Sequence, residues 1–131
     1  MARKYLTIHT RKTFDAAHYI PKTETKCQYT HGHTFTVDIT IFGLDVPEKR
    51  MMVDFIDLKK EIVKLDHTLL NDTFQDPTAE NLARFFANKA WDLSKSQYPH
   101  IISVTATVYE TPDCDATITI TEEEFTLPNQ N

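Results

Sequence analysis

The chain has 131 residues, 40% of them hydrophobic and 25% charged, with a formal net charge of −5 at pH 7. That length suits one domain whose core needs no disulfide or structural metal to hold it, and the negative charge argues against a non-specific nucleic-acid binder. The only glycines, Gly32 and Gly43, leave no Gly-rich phosphate loop or dinucleotide fingerprint, and the two cysteines, Cys27 and Cys114, permit one disulfide but no disulfide framework.

The opening residues Met1-Ala2-Arg3-Lys4-Tyr5 lead into alternation and not into an apolar signal run. No stretch approaches the ~18 apolar residues of a membrane span. The expectation is a cytoplasmic protein with reduced thiols and no membrane partner. Residues 5–14 alternate loosely and predict a first strand that continues toward His18. Pro21 and the run Lys22 to Lys26 mark residues 19–32 as a loop. Residues 33–43 alternate apolar and polar side chains and predict a second strand, ended by Gly43. Residues 44–51 read as a polar turn, and the first two strands read as a hairpin. Asp54 is a good N-cap, and Phe55, Leu58, Ile62 and Leu65 follow at helical spacing, so a helix is expected to end near Asp66-His67. Thr78 caps a second helix with Leu82, Phe85, Phe86, Ala90 and Leu93 on its apolar face, running to about Ser96 before Pro99.

Ile102, Val104, Ala106 and Val108 alternate with polar residues as a third strand. Residues 110–113 read as a turn, and Ala116, Ile118 and Ile120 as a fourth strand. The tail from Thr121 to Asn131 is acidic, then polar, and reads as partly disordered. The order β-β-α-α-β-β predicts an α+β domain: an antiparallel four-stranded sheet with two helices on one face. Its outer strands carry few charges against pairing, a problem that closure into a barrel with other copies would solve.

The residues that carry chemistry cluster around the second strand. His31 and His33 stand at i and i+2 and so share one face. His18 ends the neighbouring strand, ~4.8 Å away, and completes a three-histidine set. Three nitrogen ligands with one open position is the arrangement of catalytic zinc. The plainer account makes these alternating histidines of surface or core. Cys27 admits three readings: a fourth zinc ligand, a nucleophile or general base beside an open site, or a buried inert thiol. Asp66 reads as a surface acid and His67 as a favourable helix-end charge; helical neighbours diverge by ~100°, so Asp66 is not expected to face His67. Glu110 is either a solvated strand end or a carboxylate receiving paired N–H donors from a 2-amino-4-oxo pyrimidine edge. Glu80 reads as a first-turn acid. Lys22 and Lys26 either meet a polyphosphate or are solvated. Cys114 and His9 read as structural, and His100 as exposed.

Six motifs occur in order: Phe14-Asp15-Ala16-Ala17-His18, Cys27-x3-His31-Gly32-His33, Val53-Asp54-Phe55, Leu65-Asp66-His67, Pro77-Thr78-Ala79-Glu80-Asn81 and Tyr109-Glu110-Thr111. Together they resemble the 6-pyruvoyl-tetrahydropterin synthase family, over about residues 5–120 of a single domain spanning 1–131. The nearest resemblance is to its bacterial 6-carboxytetrahydropterin branch of queuosine biosynthesis. The resemblance implies the tunnelling fold, with subunits joined edge to edge into a barrel, and trimers that stack into hexamers with sites at subunit interfaces. It implies one zinc ion per subunit on His18, His31 and His33. It makes Cys27 the proton-transfer residue, joined by Asp66 and His67 of a neighbouring subunit. Glu110 becomes the pterin anchor, and Thr78 and Glu80 belong to the pocket segment. The implied reaction is a carbon–carbon lyase step on a pterin triphosphate. The rivals are triphosphate elimination in the pyruvoyl manner and a non-catalytic zinc or pterin-binding module.

Overall fold

The computed structural model describes residues 2–123. Two long strands, β1 (Tyr5–His18) and β2 (His31–Leu44), pair antiparallel along their whole length, from Tyr5 opposite Leu44 to His18 opposite His31. The expected hairpin is present, but β2 begins two residues earlier than its alternation suggested, so both His31 and His33 lie inside the ladder. Helix α1 (Phe55–Val63), the two-residue strand β3 (Thr68–Leu69), helix α2 (Ala79–Gln97) and strands β4 (Ile101–Thr111) and β5 (Cys114–Thr121) follow. The sheet order is β3-β1-β2-β4-β5.

This corrects the expected four-stranded antiparallel sheet. The sheet has five strands and is mixed, because β3 pairs parallel with β1 at Ala16 and Ala17. A two-residue strand leaves no periodicity to read, so its pairing is decided by where the chain is returned after α1. Thr121, expected to open the tail, is the last residue of β5, and the expectation of disorder falls on residues 124–131, which lie outside the described residues.

Alternation along β2 sorts the sheet into two faces. Phe35, Val37, Ile39 and Ile41 are fully buried, in one core with Leu58 and Ile62 of α1 and Leu82, Phe86 and Ala90 of α2. Both helices therefore cover the same face. The caps are those expected: Asp54 accepts the Ile56 N–H at 2.9 Å, and Thr78 accepts the Asn81 N–H at 3.1 Å. Gly43 is required by packing. A Cβ there would lie 2.6 Å from the His100 carbonyl, where β2 and β4 shift register.

Helix α1 ends three residues before the expected Asp66. The Leu65 and Asp66 amides bond three residues back, to Ile62 and Val63, which tightens the chain out of α-helix. His67 then takes a left-handed φ of 58° and turns the chain into β3.

On the face away from the helices, Arg11 of β1 donates to both carboxylate oxygens of Asp38 on β2, at 2.6 and 2.7 Å, and His9 lies 3.2 Å from the first. The Arg11 bond, chiefly, holds the Asp38 carboxyl below its ordinary value. A carboxyl depressed in the folded state stabilises above its unfolded pKa and loses that contribution as pH falls through the folded value. Asp38→Asn should therefore lower stability by about 1 kcal/mol at neutral pH, the upper range for a pair whose arginine is solvated. Urea titrations of both proteins should converge as pH falls below about 4.

Candidate active site and metal centre

Three imidazoles meet where β1 ends and β2 begins. His18 is the last residue of β1 and pairs with His31, while His33 pairs with the small Ala16. All three project to the helix-covered face, with ring centroids 4.6 Å (18–31), 5.2 Å (18–33) and 4.9 Å (31–33) apart. The Phe35 ring forms the floor, 5.4 Å from the rings of both His18 and His33.

The protons on two of these rings are fixed by the backbone. His18 Nδ1 lies 2.8 Å from the Pro77 carbonyl, and His31 Nδ1 lies 2.7 Å from the Tyr29 carbonyl. A carbonyl only accepts, so each Nδ1 carries the hydrogen and each Nε2 presents a lone pair. Burial pushes the pKa of His18 and of His33 down, which keeps both rings neutral near pH 7. His18 is 1% exposed, and its Nε2 has no hydrogen-bond partner. One nitrogen from each histidine lies within 4.8 Å of the others. A buried, unprotonated, unpartnered nitrogen facing two more imidazoles fits a metal ion such as zinc.

The carbonyl that orients His18 is itself held. Asp76 accepts from the Thr78 N–H at 2.9 Å and from the Asn81 side chain at 2.8 Å, which fixes Pro77 between them at the start of α2. Asn71 clamps the end of β1 by exchanging two bonds with the Tyr19 backbone, both 2.9 Å. Reasoning from sequence missed Asn71, Pro77 and Asp15 as positioning groups. The motifs around His18 and Thr78 contain two of them, but a backbone carbonyl acting as orienter leaves no signal in side-chain type.

Glu110 lies inside β4 and not in a turn. Tyr109 pairs with Asp115 and Thr111 with Cys114, so Glu110 is the extra residue of a β-bulge. Its Oε1 comes to 3.9 Å from His18 Nε2, too far for a hydrogen bond, and the neutral ring makes no ion pair. Cys27 sits in a single 3₁₀ turn (Lys26–Gln28) of the loop that joins β1 to β2. It is exposed, which removes the buried inert reading. Cys27, Thr78, Glu80, Glu110 and Cys114 line one cleft of about 320 Å³. Cys114, expected to be structural, is thus exposed at the site. Lys22 and Lys26 are solvated on the same loop, and His100 is exposed as expected.

Asp66 and His67 form a separate unit. The left-handed turn at His67 overturns the expectation that they cannot face each other: His67 Nδ1 lies 2.8 Å from Asp66 Oδ2. The Asp15 N–H donates to Asp66 Oδ1 at 2.8 Å, and the His67 N–H donates to the Asp15 carbonyl at 2.6 Å. The Asp15 amide first, and His67 second, hold the Asp66 carboxyl below its ordinary value. An ionised Asp66 can only accept, so His67 carries its proton on Nδ1 and leaves Nε2 to solvent. His67 borders a second hollow, lined by Asp15, Gly32 and Thr34 and also by His33. Within a single chain, Cys27 and Glu110 share one cleft, and His67 lines another that His33 also reaches.

The profile of the family described as 6-pyruvoyl tetrahydropterin synthase matches residues 7–121. The 6-carboxy-5,6,7,8-tetrahydropterin synthase of Rickettsia bellii is 33% identical over 131 aligned positions, covering 79% of this chain and 93% of that one. The dihydroneopterin monophosphate aldolase of Pyrococcus furiosus is 35% identical over 83 positions, 60% of this chain and 69% of that one. The structure of Caenorhabditis elegans 6-pyruvoyl tetrahydropterin synthase superposes with a TM-score of 0.66 at 23% identity, covering 94% of this chain and 100% of that one, which shows a shared fold. Profile, relatives and fold agree, and the chain belongs to the 6-pyruvoyl tetrahydropterin synthase family.

Proposed function

We propose that the chain is a zinc-dependent 6-carboxy-5,6,7,8-tetrahydropterin synthase of queuosine biosynthesis. It would convert 7,8-dihydroneopterin triphosphate to 6-carboxytetrahydropterin, acetaldehyde and triphosphate. The observation that carries this reading is the juxtaposition of Cys27 and Glu110 in one cleft beside three imidazoles, with Glu110 Oε1 3.9 Å from the unpartnered His18 Nε2. Two further features favour the carboxy branch. The loop keeps the Cys27-x3-His31 spacing and offers Gln28 and Tyr29 where an acid would serve aldol cleavage. The Rickettsia bellii relative, matched over 93% of its length, carries that name.

His18, His31 and His33 would hold the zinc ion, which supplies Lewis-acid stabilisation for negative charge developing on side-chain oxygens of the substrate. Glu110 accepts the paired N–H groups of the pterin edge and fixes the ring against the cleft. Glu80 and Thr78 bound the same cleft at the N-terminus of α2. The Cys27 thiolate moves a proton on the side chain that Glu110 has positioned. Asp66 orients His67 so that its free Nε2 can exchange a proton with the substrate. That pair would come from a neighbouring subunit. Among the described strands, the outer edge of β5 and the first part of β1 lack a partner, since β3 covers only Ala16 and Ala17. Joining such edges into a barrel closes them and brings a second chain to the site.

Incubation of the zinc-loaded protein with the triphosphate should release acetaldehyde and a 6-carboxy pterin, identified by mass. A pyruvoyl product without acetaldehyde would move the chain to the other branch. Preference for the monophosphate would favour the aldolase activity.

Cys27→Ala should keep its zinc and lose at least ~100-fold in turnover, the scale of one positioned acid–base group. His33→Ala should lose zinc as well. A Cys27→Ala protein that sheds its metal would instead indicate a closed structural site.

Mixing denatured Cys27→Ala and His67→Ala proteins and refolding them together tests the shared site. If each site draws its thiol and imidazole from different subunits, activity should return to about a quarter of wild type by random assembly. No recovery would place both groups on one chain.

A further inference from the structure

Cys114 is the one thiol that the proposed reaction does not use, and it lines the same cleft as Cys27. Cys27 sits on the loop between β1 and β2, where the Ile20 N–H donates to its carbonyl at 2.7 Å. Cys114 opens β5 straight after the turn that follows β4. Alternation along β5 puts it on the same side as Ala116 and Ile118, the helix-covered face that also carries the histidines. Both thiols are exposed and free. The cleft between them holds about 320 Å³, the volume of roughly ten waters. Cys27 sits in a single 3₁₀ turn and Cys114 at the first residue of a strand, paired with Thr111, so closing a disulfide brings the Cys27 loop to the end of β5.

We propose that Cys27 and Cys114 form a reversible intrachain disulfide across this cleft, driven by hydrogen peroxide. The bond withdraws Cys27 from proton transfer and guards it from irreversible oxidation. Its formation is independent of the catalytic reading, whereas the loss of turnover rests on Cys27 being the proton-transfer thiol. In the first step the Cys27 thiolate attacks one peroxide oxygen. An S–O bond forms, the O–O bond breaks, and the leaving oxygen departs as water after taking a proton. Cys27 is now a sulfenic acid. In the second step the Cys114 sulfur attacks that sulfenic sulfur, the S–S bond forms, the S–O bond breaks, and a second water leaves. Two thiols are oxidised by two electrons and one peroxide is reduced to two waters. A thiol reductant reverses the bond. Without Cys114, continued peroxide carries the sulfenic acid to sulfinic acid, which such reductants do not restore.

The test treats the zinc-loaded protein and its Cys114→Ser variant with hydrogen peroxide, then with dithiothreitol. Intact mass and peptide mapping are read alongside each protein's own recovered turnover. Wild type should lose the mass of two hydrogens, yield a linked Cys27–Cys114 peptide, and run as a monomer on a non-reducing denaturing gel. Dithiothreitol should return most of its starting turnover. Cys114→Ser should instead gain two oxygens at Cys27 and recover less than about a tenth, since sulfinic acid is irreversible to thiols. Sulfinic Cys27 in both proteins at equal rates, or a disulfide that joins separate chains, would overturn the proposal. A linked peptide in a protein that turns over nothing even when reduced would leave the disulfide standing and remove the catalytic reading instead.

Discussion

The burial of His18 is the constraint on which the site depends. Its ring is closed from solvent and neutral, and its one proton is committed to the Pro77 carbonyl. That leaves a lone pair at Nε2 with nothing to accept. An unpaired buried polar atom costs about 1–3 kcal/mol, and folded proteins retain few of them. The surroundings maintain this one. Asn71 fixes the end of β1, the Asp76–Asn81 segment fixes Pro77, and Phe35 supports the ring from below. A metal ion shared with His31 and His33 would offset the cost, and would explain why so much structure is spent on orienting one imidazole.

Three candidate site positions coincide with departures from regular backbone. Glu110 is the extra residue of a bulge, and the bulge carries its carboxylate toward His18. His67 takes a left-handed φ, and that turn brings its ring onto Asp66. Cys27 rides on one turn of 3₁₀ helix between two long strands. Regular strands set the histidines at fixed spacing. The irregular positions aim the groups whose directions an ideal ladder would not give.

The sheet also divides the machinery. Its helix-covered face presents the triad and Glu110, while Asp66–His67 is anchored on Asp15 beside a hollow that His33 also lines. The same sheet leaves two outer edges unpaired among its described strands. Under the proposed barrel, edge closure and site completion become one event.

The sequence alone determined the parts that follow from periodicity and local chemistry. Alternation placed His31 and His33 on one face, the hairpin brought His18 beside them, and the caps Asp54 and Thr78 opened both helices. Where side-chain pattern dictates local geometry, it is legible. The rest required the folded chain. Strand β3 is too short to carry a period, and its parallel pairing comes from the path after α1. The meeting of Asp66 and His67 depends on one left-handed residue, and the approach of Glu110 to His18 on one bulge. The exposure of Cys27 and Cys114 in one cleft joins a loop, the start of α2 and the ends of β4 and β5. These are long-range or single-residue backbone effects. They depend on which segments the core brings together, and no local run of residues encodes that.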